Sequence, residues 1–109
     1  MNIFIAELKM ITNDTKSEKF KKANEIHADY YQSLIPKGEF LLSGPAMTKD
    51  GKVDGGIFIL KAKNRSQAEE IMSNDPMVKA GISQYYLKEL QPMLINPILK
   101  NFLDKKEEK

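Results

Sequence analysis

Residues 24–45, NEIHADYYQSLIPKGEFLLSGP, decide how this chain is read. They carry a helical pattern that holds the single histidine, His27, straight into a strand that meets Ser43-Gly44-Pro45. Phe20, Ala23, His27, Tyr30 and Leu34 recur at spacings of three, four, three and four, which sets all five on one helix face. The imidazole is therefore turned inward. Pro36 and Gly38 end the helix, and residues 39–43 form a strand that Gly44-Pro45 interrupts. Proline within a sheet belongs at an edge, where its missing N–H removes no ladder bond, so this strand is placed at the edge.

Working outward, Asn2 to Met10 reads as a strand, because Ile3, Phe4 and Ile5 favour extended backbone and Thr12-Asn13-Asp14 favours a turn. Thr15-Lys16-Ser17-Glu18 has the form of a capping box that opens the long helix. Past the histidine segment, Asp50-Gly51 is the two-residue signal of a hairpin, and Ile57-Phe58-Ile59-Leu60 is apolar on both faces, as a central strand is. Ser66-Gln67-Ala68-Glu69 reads as a second capping box, opening a short helix with Ala68, Ile71 and Met72 inward that ends near Asn74. Asp75-Pro76 reads as an N-cap followed by proline in the first helical position, starting one more turn that Gly81 ends. Residues 82–90 make a fourth strand.

The order strand, helix, strand, strand, helix, strand is the split βαβ, ferredoxin-like pattern of an α+β domain. It predicts a four-stranded antiparallel sheet with two helices on one face, the first and third strands central and the second and fourth at the edges. Residues 1–92 form this domain. Residues 93–109 are read as a C-terminal amphipathic arm, with Ile95, Ile98, Leu99, Phe102 and Leu103 at helical spacing, and a charged tail.

Two helices on one face leave the other face of IFIA and IFIL wet, which forgoes about 1.5–3 kcal/mol for each large apolar side chain. The expectation is a homodimer formed through the sheet face about a two-fold axis. The alternative is that residues 96–103 fold back over their own sheet.

Composition narrows the function. At 109 residues, 41% apolar and 29% charged, the chain has one core and an ordinary globular balance. A formal charge of +2 with interleaved signs is no footprint for nucleic acid or an anionic membrane, and the cluster Lys16, Lys19, Lys21 and Lys22 reads as a solvated helix face. No apolar run is long enough to span a bilayer, and without cysteine there is neither a disulfide nor a thiol nucleophile, so a cytoplasmic protein is expected. One histidine and no cysteine also remove the usual zinc sites, and there is no glycine-rich phosphate loop or nucleophile elbow. No metal and no cofactor is expected.

What remains is one histidine, an acid and a kinked strand. Counting about 1.5 Å per helical residue and about 3.3 Å per strand residue puts His27, Asp75 and Ser43 at similar heights above the same end of the domain. An imidazole beside a carboxylate suits a general acid or base, and free backbone groups at Gly44-Pro45, with the Ser43 hydroxyl, suit a substrate-binding wall. Plainer readings exist for each: a satisfied core histidine, an aspartate that only caps a helix, and a glycine-proline pair that only blunts an edge. The tyrosines, Tyr30 and Tyr31 among them, read as packing residues.

Over roughly residues 1–92 the chain resembles the YciI-like proteins. The resemblance rests on HADYYQSL from His27, GEFLLSGP ending at Pro45, DGKVDGG, SQAEEIMSNDPMVKAG and a closing strand that ends LQP. It implies a ferredoxin-like fold, dimers of the α/β-barrel kind and an active-site dyad of His27 and Asp75. It also implies kinship with lyases or dehydrochlorinases acting on oxidised ring compounds. The chain departs from the usual pattern at Ser43, where alanine is frequent, and at Met77, where an aromatic residue is frequent. The expected function is thus a small cofactor-independent lyase or isomerase that moves a proton on a ring or enolisable substrate. The alternative is a non-catalytic dimer that binds a small ligand.

Overall fold

The computed structural model describes residues 2–12 and 14–104. In chain order the elements are β1 (Asn2–Met10), α1 (Glu18–Gln32), β2 (Phe40–Met47), β3 (Val53–Ala62), α2 (Arg65–Ser73), α3 (Pro76–Lys79), β4 (Ser83–Leu90) and α4 (Pro97–Asp104). The sheet has the order β2-β3-β1-β4 and every neighbouring pair is antiparallel, with Phe4 opposite Leu60 and Ala6 opposite Leu87. This is the ferredoxin-like arrangement, with β1 and β3 central.

Alternation along the strands builds the core. Phe4, Ala6 and Leu8 of β1 and Phe58, Leu60 and Ala62 of β3 are buried on one face, against Ala23, Tyr31 and Leu34 from the first helical segment and Ala68, Ile71 and Met72 of α2. The inward stripe of α1 is as its spacing predicts, with Phe20, His27 and Tyr30 half-buried at its margin, and it also takes in Tyr31.

Local signals moved in four places. The N-cap of α1 is Ser17, whose hydroxyl accepts from the N–H of Phe20 at 3.1 Å, so the Thr15–Glu18 box does not form. Asp14 explains the shift: its Oδ1 accepts from the N–H groups of Lys16 and Ser17, turning the chain two residues past Thr15. Likewise α2 is capped by Asn64 rather than by Ser66, because Asn64 Oδ1 accepts from Gln67 N–H while Gln67 Oε1 accepts from Lys63 N–H.

The hairpin between β2 and β3 is not a two-residue turn at Asp50-Gly51. Thr48 carbonyl accepts from Gly51 N–H and Thr48 N–H donates to Lys52, and of the loop residues Gly51 takes positive φ at 82°. Finally, β2 is not interrupted at Ser43-Gly44-Pro45. Ser43 stays opposite Phe58, Gly44 opposite Ile57 and Pro45 opposite Gly56, with irregularities on either side of this stretch. An edge strand has only one partner, so the missing proline N–H leaves the pairing with β3 intact.

The arm folds as a helix and lies over one end of the open sheet face. Leu99, Phe102 and Leu103 line a cavity of about 680 Å³ with Ile3, Ile59 and Leu90. Lys61, on that face and only 8% exposed, reaches the Leu103 carbonyl at 2.7 Å. The carbonyls in the last turn of a helix have no intrahelical partner, which makes this a favourable place for a cation. The cover is partial: Leu42, Ile57, Tyr86, Met93, Leu94 and Ile98 stay exposed. Residues 105–109 of the charged tail lie outside the described residues. Among the described residues no helix is long and apolar enough to cross a membrane.

Candidate active site

The site is built where α1 passes the junction of α2 and α3. Asn74 ends α2, and Asp75 then serves as N-cap of α3, its Oδ1 accepting from Met77 N–H at 2.7 Å. The cap geometry turns the carboxylate inward, and it is completely buried. His27, in the third turn of α1, meets it from the opposite side, with Nδ1 3.1 Å from Asp75 Oδ1. The second carboxylate oxygen, Oδ2, accepts from the Tyr31 hydroxyl at 2.6 Å.

These partners fix the proton inventory. A backbone N–H can only donate, and the Tyr31 hydroxyl keeps its proton because burial first, then the charge and hydrogen bond of Asp75, push its pKa far above the ordinary tyrosine value. An ionised Asp75 acts as an acceptor toward all three neighbours, so His27 Nδ1 is then the donor, and in the neutral ring the lone pair lies on Nε2. Among the described residues no buried side-chain nitrogen or oxygen lacks a partner.

The imidazole is the part of this arrangement that a ligand can reach. Its side chain is 24% exposed, against 0% for Asp75. It stands edge-on to Tyr31 and Phe58, at centroid distances of 5.3 and 5.9 Å. It opens into a cavity of about 650 Å³ whose walls include Phe20, Phe58 and Met77, with Asn24 and Ser83 as polar groups. Lys9 and Asp54, 3.8 Å apart, also lie on its wall.

All five residues singled out from the sequence come to this region, in two different roles. His27 and Asp75 are in direct contact, Asp75 standing behind the ring and off the cavity wall. Ser43, Gly44 and Pro45 are exposed and line the same cavity from β2, with no hydrogen bond to the pair. They do so as a paired edge strand, so the free backbone groups expected from a break are supplied only by the open side of that edge. Tyr31 was missed as a site residue, although its place four residues after His27 puts it on the same helix face. Asn24, three residues before His27, carried the same signal. Among the described residues no cluster of histidine or acidic side chains could hold a metal ion.

Comparison with known proteins places this geometry in context. The model of the YCII-related domain matches residues 5–91. No curated protein matches the chain by sequence. The solved structure of 5-chloro-2-hydroxyhydroquinone dehydrochlorinase from Burkholderia phenoliruptrix, in complex with 2,5-dihydroxybenzoquinone, is similar at a TM-score of 0.63 and 20% identity, over 82% of this chain and 93% of that one. SnoaB, a cofactor-independent oxygenase from Streptomyces nogalater, matches at a TM-score of 0.49 and 11% identity, over 88% and 96% of the two chains. At 20% identity the likeness to the dehydrochlorinase is one of fold.

Proposed function

Since this chain belongs to the YCII-related domain family, we propose that it is a small enzyme in which His27 Nε2 moves a proton on a ring or enolisable substrate held in the cavity. One observation carries the reading: an imidazole open to a cavity is bonded through its far nitrogen to a fully buried carboxylate. That is the arrangement a general base needs, because the carboxylate sets the tautomer and stabilises the ring once it is charged. A core histidine would be sealed, and an aspartate serving only as a cap would have no reason to face it.

In this reading Asp75 orients His27, while Ser43, Gly44 and Pro45, which line the same cavity, bind the substrate. Side chains alone perform the chemistry. The largely apolar walls support this substrate class, as does the similar Burkholderia structure, a dehydrochlorinase of a chlorinated hydroxyhydroquinone. Hydroxylated and quinonoid rings suit a lone base, since removing a proton leaves a charge that the ring delocalises.

The reading extends to the assembly. Residues 1–92 form the catalytic domain, residues 93–109 an accessory arm, and the chain pairs as a cytoplasmic homodimer through the part of the sheet face that α4 leaves open. Sedimentation of the full chain tests the last point, with a persistent monomer as the contrary result.

The decisive test is a turnover screen of hydroxybenzoquinones and chlorinated hydroxyhydroquinones with the wild type and His27→Ala. The expected result is turnover by the wild type that the variant loses while keeping its far-UV circular dichroism. A fully active His27→Ala would sink the reading. Binding without turnover by the wild type would favour a ligand-binding dimer.

A further inference from the structure

We propose that Tyr31 is a positioning residue of this site, holding Asp75 Oδ2 so that Oδ1 is the oxygen presented to His27. The inference rests on the His27–Asp75 reading above and adds a third group to it.

The geometry of the carboxylate carries the argument. Met77 N–H fixes Oδ1 at 2.7 Å, but a single bond leaves an aspartate free to pivot about its terminal torsion, which is broad and roughly two-fold. A second donor on the other oxygen removes that freedom. The Tyr31 hydroxyl is that donor, at 2.6 Å, and its other polar contact is the weakly accepting Met72 sulfur at 3.5 Å.

The hydroxyl is itself held in place. Its ring stacks on Phe58 at 4.6 Å and 28°, leans on Phe40 at 5.5 Å, and meets Tyr30 edge-on at 5.0 Å. The same ring forms one wall of the imidazole, edge-on at 5.3 Å. One side chain, a single helical turn from His27, thus sets both the carboxylate and the near side of the ring it serves. Tyr31 is buried and off the cavity wall, so it acts through Asp75 and not on a substrate.

The chain's single histidine makes the test direct, since nitrogen-15 labelling of histidine yields one imidazole spectrum with no substrate needed. In the wild type one slowly exchanging Nδ1–H proton is expected, together with a slowly exchanging Tyr31 hydroxyl proton that shows a contact to the His27 ring. In Tyr31→Phe, which keeps the ring packing, the Nδ1–H signal should shift by more than its linewidth or broaden away, while the Met77 amide signal persists. With a substrate in hand, the same variant should lower kcat and leave KM nearly unchanged.

A folded Tyr31→Phe whose Nδ1–H signal is unmoved overturns the proposal, even if its melting temperature falls, because a hydroxyl that only stabilises the fold predicts that result. Should the variant fail to fold, the wild-type hydroxyl decides: rapid exchange with water, as for an unbonded phenol, overturns it equally. The two readings fail separately. An active His27→Ala removes the proton-transfer role and leaves the Tyr31 spectrum to be judged alone, whereas an unmoved spectrum with an inactive His27→Ala removes only Tyr31.

Discussion

Asp75 serves the fold and the candidate chemistry together, and two substitutions separate these roles. Asp75→Ala removes the acceptor for Met77 N–H and for the Tyr31 hydroxyl, both in the core, and for His27 Nδ1 at its margin. A buried donor left unpaired costs about 1–3 kcal/mol. Met77 N–H is left with no acceptor and the Tyr31 hydroxyl with only the weakly accepting Met72 sulfur, so the loss should lie between about 1 and 6 kcal/mol, against a typical stability of about 5–15 kcal/mol.

Asp75→Asn should behave differently. The cap requires an oxygen at Oδ1, because Met77 N–H can only donate, so the amide nitrogen falls at the Oδ2 position. There it donates to the Tyr31 oxygen, whose own proton turns toward Met72 sulfur. Asparagine caps helices about as well as aspartate, so stability should change by no more than about 1 kcal/mol. The His27 tautomer is kept and only the negative charge is lost. The charge that stabilises the ring as it takes up a proton is gone, so proton transfer should slow, by up to the about 100- to 10,000-fold that a positioned acid–base group contributes. Urea unfolding followed by circular dichroism measures the first effect and turnover the second. If Asp75→Ala proved no less stable than Asp75→Asn, the carboxylate would not be satisfying buried donors and the account of the site would fail.

Two further outcomes follow from other parts of the structure. Gly55 has φ of 79° and an added Cβ would lie 2.3 Å from the Leu8 carbonyl oxygen, whereas Gly44 has open space around it. Gly55→Ala should lose at least about 1–3 kcal/mol from backbone conformation before any clash is counted, and Gly44→Ala should stay within about 0.5 kcal/mol. Equal urea midpoints would contradict this. At high pH the tyrosines decide: burial pushes Tyr30 up to about 12, and the hydrogen bond to Glu69 does the same for Tyr85. A folded-state pKa raised above the unfolded value contributes stability that is complete below pH 10 and is lost as pH rises through about 12. Tyrosinate absorbance and circular dichroism should therefore change together in that window, and early ionisation with the fold intact would count against the two hydrogen-bonded environments.

The element order, the central and edge strands and the inward face of α1 were legible because periodicity is a local property. Apolar residues recur every three or four positions or on both faces of a strand, and proline declares an edge. Helix starts were less legible, since Thr15 and Ser66 had the right neighbours three residues on but lost to Ser17 and Asn64. Several nearby side chains could each cap, and the path of the preceding loop chose between them. The run through Ser43-Gly44-Pro45 was misjudged as a break for a related reason, because how an edge strand tolerates proline depends on which side its partner lies.

By itself, then, the sequence determined a ferredoxin-like domain with one inward histidine and an aspartate at a helix start. Only tertiary structure decided that the two meet at 3.1 Å, that Tyr31 completes the group, and that α4 lies on the open sheet face through Lys61. Each of those contacts joins residues more than forty positions apart. Spacing along a helix or strand fixes the face a side chain takes, but not which residue of another element will stand opposite, because that depends on how the elements cross when they pack.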